Sequence, residues 1–376
     1  MAIDNKIKII FLVVVFLGTT TWVFSQARPK TVSPQKMEEI YKTVQTPYKY
    51  GLVIVPSDNS KKIDCPSVFR KHGKWFMTYI EFTGRGYQTW LAESPDLLHW
   101  KTKGKLLSFS DTADWDNNQK AGYIALETFD WGRKYEWQKY NGRYWMSYFG
   151  GNKRGYEAGT LSLGMAYNNS DPSKVTEWKR LDHPILTPKD VNVSWWDNHT
   201  QYKSSVIWDK NRLTGHSFVM YYNANGDSLD AKRGAERIGM AVSDDMIHWQ
   251  RFGKNPVLDH HSGITGDPMI QKIGDVYVMF YFGAFWNHSG QVFNRFACSY
   301  DLVHWTDWTG KPLIEASEPF DNAFAHKSFV VKYKGVVYHF YCAVDKSWQR
   351  GIAVATSKDM GSSEVHFVAP PVKIKK

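Results

Sequence analysis

The sequence predicts an all-β fold, a five-bladed β-propeller with about four antiparallel strands per blade. Three observations predict it. A block of β-prone runs recurs down the chain with a period on the order of 40–50 residues. Each copy reads as short strands parted by polar turns such as His72-Gly73, Asn141-Gly142 and Gly274-Asp275, with no sustained helical periodicity. Four copies carry a Ser-x-Asp signature: Ser94/Asp96, Ser243/Asp245, Ser299/Asp301 and Ser357/Asp359. A β-sandwich of look-alike hairpins is the competing fold. The tail Ser-x-Asp, two apolar residues, a spacer and Trp is too specific for it.

Residues 1–27 read as an export leader. Lys6 and Lys8 precede an apolar run over residues 9–18, and Ser25-Gln26-Ala27 offers a small-residue cleavage site. Thr19-Thr20-Thr21 interrupts the apolar run, which falls short of the ~20 residues that span a bilayer. The expectation is a secreted or periplasmic protein with no stable membrane insertion after leader removal. Residues 28–47 form a lead-in with a short helix over residues 34–43. Residues 48–376 are expected to form the propeller domain. The run at residues 48–55 is expected to join the last blade and close the ring, which removes exposed sheet edges.

The five copies span residues 64–100, 135–178, 203–249, 267–305 and 327–360. The second is irregular at the Ser-x-Asp position. His99, His248 and His304 recur before Trp and read as structural. Residues 106–129 and 183–201 are long for connections between blades, and loops of that length often carry function. The second holds Trp195-Trp196-Asp197-Asn198-His199.

The chain of 376 residues is long enough for one large core. Its 17 Trp exceed ordinary usage, so some are expected to line a surface for stacking sugar rings while blade interfaces take most. The formal net charge of +10 favours anionic partners. The basic residues are scattered and no nucleic-acid-binding pattern is present. An acidic or sulfated glycan fits the charge, as does a plain basic surface. Cys65, Cys298 and Cys342 fit neither a metal site nor a disulfide framework. No metal-ligand loop is legible, although a ring of this kind is compatible with a structural calcium at its centre. Nothing sets an oligomeric state.

In a propeller the head of each inner strand faces a common funnel. The heads read as Asp64-Cys65-Pro66, Tyr135-Glu136-Trp137, Lys203-Ser204, Asp267-Pro268 and His326-Lys327, each with an ionisable residue before an apolar run. Buried charges are costly unless paired. A polar pocket on the axis explains the pattern, and a ring of ion pairs joining Asp64 and Asp267 to Lys203 and Lys327 is the structural alternative.

With the Ser-x-Asp tails, the heads Asp64-Cys65-Pro66-Ser67-Val68-Phe69 and Gly266-Asp267-Pro268-Met269-Ile270 resemble the five-bladed propeller glycosidases of glycoside hydrolase families 43, 32, 117 and 130, over about residues 48–365. The resemblance implies acid/base cleavage of a glycosidic bond, with Asp64 as base and Glu136 tuning ionisation. The family's Glu-Gly-Pro head is missing. Asp267, Glu127 or His326 must then act as the acid. Lys203, His326 and Lys327 would bind hydroxyls, a uronate or a sulfate, with Glu127 and Trp196 also on the substrate side. The expectation is an inverting glycoside hydrolase acting on a polysaccharide or oligosaccharide. A phosphorylase using Lys203 and Lys327 for phosphate, a lyase and a non-catalytic carbohydrate-binding propeller are the alternatives.

Overall fold

The computed structural model describes residues 30–226 and 235–368. The expected leader and the lysines at the C-terminal end lie outside the described residues. Among the described residues one α-helix, α1 (Pro34–Val44), comes first, capped by the Ser33 side chain, which accepts from the Lys36 amide. It buries Met37, Ile40 and Val44, the spacing of one helical face. Strand β1 (Tyr48–Ile54) follows. No helix among the described residues is long and apolar enough to cross a membrane.

The rest is antiparallel sheet. Strands β2 (Lys62–Lys71), β3 (Lys74–Phe82), β4 (Tyr87–Ser94) and β5 (Lys101–Leu107) form a meander. So do β6 (Gln119–Ala125), β7 (Tyr144–Gly151), β8 (Ser162–Asn168) and β9 (Lys179–Arg180). The next is β10 (Thr200–Trp208), β11 (Phe218–Asn225), β12 (Arg237–Ser243) and β13 (Gln250–Arg251). These last two meanders join as one eight-stranded sheet through a single parallel pair, Val206 with Ala125. Strands β14 (Ile264–Ile273), β15 (Val276–Ala284), β16 (Val292–Ser299), β17 (Thr306–Asp307) and β18 (Ile314–Glu315) make a five-stranded sheet. Strands β19 (Phe324–Tyr333), β20 (Val336–Val344) and β21 (Arg350–Thr356) complete a four-stranded sheet with β1, which pairs antiparallel to β21 as the sequence predicts.

The second repeat is displaced from its expected position. Its first strand is β6, inside the stretch taken as a connection, and not the run after Tyr135. Strand β6 escapes notice because Gln119-Lys120-Ala121-Gly122-Tyr123-Ile124-Ala125 is poor in β-branched residues. It also lacks the bulge of its counterparts. Strands β2, β10, β14 and β19 each slip register near their heads, between Asp64/Ser67, Gln201/Ser204, Gly266/Met269 and His326/Phe329.

Middle strands are buried on both faces: every residue of β7, β15 and β20 is buried. Each sheet is therefore covered by its neighbours. The largest apolar cluster joins α1 to the first, fourth and last repeats through Met37, Trp75, Phe280 and Phe340. Fully burying one such side chain contributes ~1.5–3 kcal/mol.

Two side-chain devices repeat. At Ser94, Ser243 and Ser299 the hydroxyl accepts from the next two amides of the turn, and the following Asp accepts from two more and pairs with the histidine Nδ1 at 2.7 Å. The fourth copy departs: Ser357 Oγ accepts from the Val337 amide instead. In the second device, fully buried Asp116, Asp197 and Asp321 accept from Tyr148 (2.7 Å), Tyr222 (2.8 Å) and Tyr341 (2.8 Å). Each also pairs with a cation from an outer strand: Arg180, Arg251 or Lys49. Trp115 and Trp196, next to two of these aspartates, stack near Tyr148 and Tyr222. Trp196 is buried and fills the space over Gly239, so it braces a sheet and does not line the pocket at the strand heads.

The inner strands have two ends. After β6 the chain crosses the far end. The Leu126 amide bonds Val206 O, Trp131 and Phe129 bracket Lys272, Tyr135 O accepts from the Arg70 amide, and Tyr135 Oη accepts from the Lys332 amide. Residues 126–135 are thus tied to the ends of β10, β14, β2 and β19.

Candidate active site

The near end holds a pocket of about 240 Å³ lined by Cys65, Tyr123, Lys203, Asp267, His326 and Lys327 from the inner strands. From above come residues of the connections that follow each sheet's second strand: Tyr156 and Glu157 (β7–β8), Glu236 (β11–β12) and Phe285 (β15–β16), with Arg350 at the start of β21. The topology dictates this. A strand that begins at the near end runs away from it, the next returns, and the following connection lies beside the first strand's head.

Asp64 lies beneath this floor, fully buried. Its Oδ2 accepts from Arg350 Nη1 (2.6 Å) and Lys327 Nζ (3.1 Å), and its Oδ1 from the Cys65 amide (3.1 Å). Burial pushes its ionisation up, but Lys327 and Arg350 outweigh that and hold the carboxyl well below the usual range. Asp64 is a fixed anion that orients two cations. Arg350 Nη1 also donates to Tyr156 Oη at 2.9 Å. His326 is pushed down to about 3 by burial and then by Lys327 and Arg350. It is neutral, with Nδ1–H donating to Cys342 O at 3.2 Å. Asp64, His326 and Cys342 bring ligand-type atoms within 4.8 Å of one another. The set does not fit calcium, which takes oxygen ligands, and two protonated side chains already occupy the carboxylate.

Asp267 is buried, with Lys203 Nζ 3.9 Å from its Oδ2, and it accepts from Cys65 Sγ at 3.4 Å. Lys203 Nζ makes no hydrogen bond among the described residues. Of the expected residues, the structure brings Asp267, Lys203, His326 and Lys327 into the pocket wall, with Asp64 just behind. It does not bring Glu136 or Glu127 there. Both belong to the segment crossing the far end, where Glu136 is exposed. The error follows from the displaced second repeat: Glu136 precedes a β-prone run but is not the head of an inner strand.

Two carboxyls missed in the sequence stand in the pocket. Glu157 and Glu236 are half-buried on the β7–β8 and β11–β12 connections. Asn223 Nδ2 donates to Glu236 Oε2 at 2.7 Å, and Asn223 Oδ1 accepts from the Asp267 amide at 3.4 Å. A Cβ at Gly266 would lie 3.0 Å from Asn223 Nδ2, so glycine there admits the asparagine. Glu236 is pushed up to about 8 by burial and by Glu157, against the pull of the Asn223 hydrogen bond. Burial also raises Glu157, but Lys327 and Arg350 draw it back. The two carboxyls thus differ: one is protonated at neutral pH, the other lies near two cations. Both are raised, Glu236 to about 8 and Glu157 with two cations opposing the rise, and two carboxyls in unlike surroundings in one pocket are candidates for an acid and a base.

Left-handed backbone is present here. Cys65 (φ 52°), Glu157 (48°), Asp267 (55°), Phe285 (59°) and Lys327 (64°) all hold left-handed conformations, which cost non-glycine residues free energy and concentrate at functional sites. A usable signal was present in connection length: residues 152–161 and 226–236 are longer than residues 83–86 at the same place in the first repeat, and hairpin loops ordinarily run ~2–5 residues.

No protein-family model matches the chain, and no curated protein does. Solved structures do. One described as "Glycoside hydrolase" superposes with a TM-score of 0.87 at 52% identity, covering 90% of this chain and 99% of that one. Another, described as an RGII complex of BT0996, gives 0.88 and 52% over the same shares. A family 117 glycoside hydrolase from the marine bacterium Zobellia galactanivorans gives 0.60 at 15% identity, over 84% of this chain and 91% of that one, a likeness of fold.

Proposed function

The chain belongs to the glycoside hydrolases of propeller fold, and from that premise we propose that Glu236 and Glu157 cleave a glycosidic bond in this pocket, as acid and base. Glu236 delivers its proton to the leaving oxygen. Glu157, whose ionised form Lys327 and Arg350 favour against burial, takes a proton from the attacking water. The observation that carries the assignment is the pair of carboxyls in one pocket, Glu236 held by Asn223 and Glu157 drawn on by Lys327 and Arg350. The neutral His326 offers Nε2 to accept from a sugar hydroxyl, and Lys203 supplies a cation with no hydrogen bond of its own.

We read the reaction as single displacement with inversion. The carboxyls hang from connections in successive repeats and not from one strand, which supports a gap for water, as inverting enzymes need. The eight-stranded sheet reads as two blades meeting at one bridge, giving five in all. Lys203, Lys327 and Arg350 in the wall, with the net charge of +10, support an anionic glycan. The RGII in the description of one similar structure is the first material to try. The leader pattern supports export to the periplasm or beyond.

The test is sugar release from a panel of defined oligosaccharides, with the first-formed anomer read by proton NMR. Glu236→Gln and Glu157→Gln should each lose turnover by ~10²–10⁴-fold, the usual contribution of a positioned acid or base, with thermal unfolding unchanged. Full activity in either variant overturns the assignment, and a retained anomer overturns the inversion.

A further inference from the structure

The pocket's size limits what it encloses. At about 240 Å³ it falls below the ~300–1,000 Å³ of sites that engulf drug-sized ligands. It accommodates one sugar ring. The next ring of any glycan must therefore lie over the rim.

The rim is uneven. Toward the β7–β8 connection, Tyr156 is engaged: Lys62 Nζ stands 5.1 Å from its ring centre and Arg350 bonds its hydroxyl. On the other side three rings meet edge to face: Phe285 of the β15–β16 connection, Phe324 at the head of β19 and Trp348 of the β20–β21 connection. Phe285 and Phe324 are 5.8 Å apart, and Phe324 and Trp348 are 5.3 Å apart. The two outer members are open, Phe285 at 41% and Trp348 at 58% of full exposure.

Trp348 gains little from the core and also sits at φ 64°. Its turn is nevertheless pinned: the Trp348 amide donates to Asp345 O at 3.0 Å, and Asp345 Oδ1 accepts from the Ser347 and Gln349 amides at 2.9 Å. Two residues later Arg350 reaches the pocket floor and pairs with Asp64. One hairpin thus fixes an exposed indole in register with the reaction centre. An open, rigid aromatic ring beside a one-ring pocket is an apolar face for the C–H side of a sugar, with little entropy left to lose on binding.

We propose that Phe285, Phe324 and Trp348 form a platform for the sugar on the leaving-group side of the scissile bond, so that the substrate is an oligosaccharide whose terminal unit is removed. The proposal rests on the glycosidase reading above.

The test compares wild type with Trp348→Ala, Phe285→Ala and Trp348→Phe in the full chain. The probes are the oligosaccharide that wild type cleaves in the panel and the monosaccharide it releases, used as an inhibitor. Trp348→Ala should raise KM for the oligosaccharide about tenfold, equal to ~1.4 kcal/mol, with kcat within about twofold. The inhibition constant of the monosaccharide should not move. Phe285→Ala should act in the same direction, and Trp348→Phe should recover most of the loss. An unmoved KM in Trp348→Ala overturns the platform alone, as does a monosaccharide constant that rises in step with KM. A wild type that cleaves no glycan removes the premise and the platform with it.

Discussion

The two ends of the inner strands carry the same backbone to opposite outcomes. At the near end, bulged heads and long connections leave a pocket crowded with ionisable groups. At the far end, residues 126–135 close the channel with ordinary backbone hydrogen bonds and one tyrosine hydroxyl. Only ~20 Å of extended chain, some six residues of strand, separates them. An acid before a β-run therefore carries no meaning until the direction of the strand is known. Glu136 and Glu236 both precede a β-prone run, and only one faces the pocket.

Substitutions at the two ends sharpen this contrast. The largest effect is expected at the near end, where Glu236→Gln or Glu157→Gln costs ~10²–10⁴ in turnover. Glu136→Gln should leave kcat/KM within about twofold, and a loss equal to that of Glu236→Gln breaks the contrast. The pH profile adds to it. Glu236 must be protonated, so the rate should fall as pH rises through about 8. Glu157 must be ionised, which puts the acid limb above the ordinary 4.5 of a glutamate.

Next is Asp64→Asn, which strands Lys327 and Arg350. Breaking a buried pair from one side costs ~3–5 kcal/mol, read by denaturant unfolding. Because the cations hold the Asp64 ionisation below its ordinary 3.8, its contribution is complete well above that value and is lost progressively as pH falls from there toward the depressed one. The acid-induced loss of stability should shrink in the variant. Stability equal to wild type at neutral pH contradicts this reading. At the far end, Tyr135→Phe removes the acceptor of the Gly132 and Lys332 amides, which should cost ~1–3 kcal/mol without altering kcat at temperatures where the variant is folded.

The smallest effect concerns Glu127. Burial raises its ionisation, and Oε1 has no hydrogen-bond partner among the described residues. The unfolded chain ionises first as pH rises above 4.5, so the wild type should lose stability there relative to Glu127→Gln. Parallel stability–pH curves for the two proteins are the contrary result.

Much of the fold was legible in the residues. The Ser-x-Asp turns work by hydrogen bonds local to a few positions, so sequence alone exposes them, and the strand lent by residues 48–55 is in place as β1. Strand β6 was not legible because its place depends on what covers it and not on its own propensity. The site divides in the same way. Inner-strand heads such as Asp267, Lys203, His326 and Lys327 were found from the repeat itself. Glu157 and Glu236 were missed because they sit in connections that differ between repeats, where no periodicity points to them. Trp195-Trp196-Asp197 misled in the opposite sense: one member of an exposed-looking cluster is a brace beneath a glycine.

The bond between β1 and β21 has a further consequence. Tyr48 and Thr356 stand 308 positions apart and touch, and Asp64 is 286 positions from the Arg350 it holds. Contacts of such span form late, since local structure assembles faster than distant pairing. The circle's seam and the reaction centre thus depend on the docking of one strand, β21. A chain cut short or nicked before that clasp engages has neither a sealed edge nor an oriented Arg350, so turnover itself reports that the ring has shut.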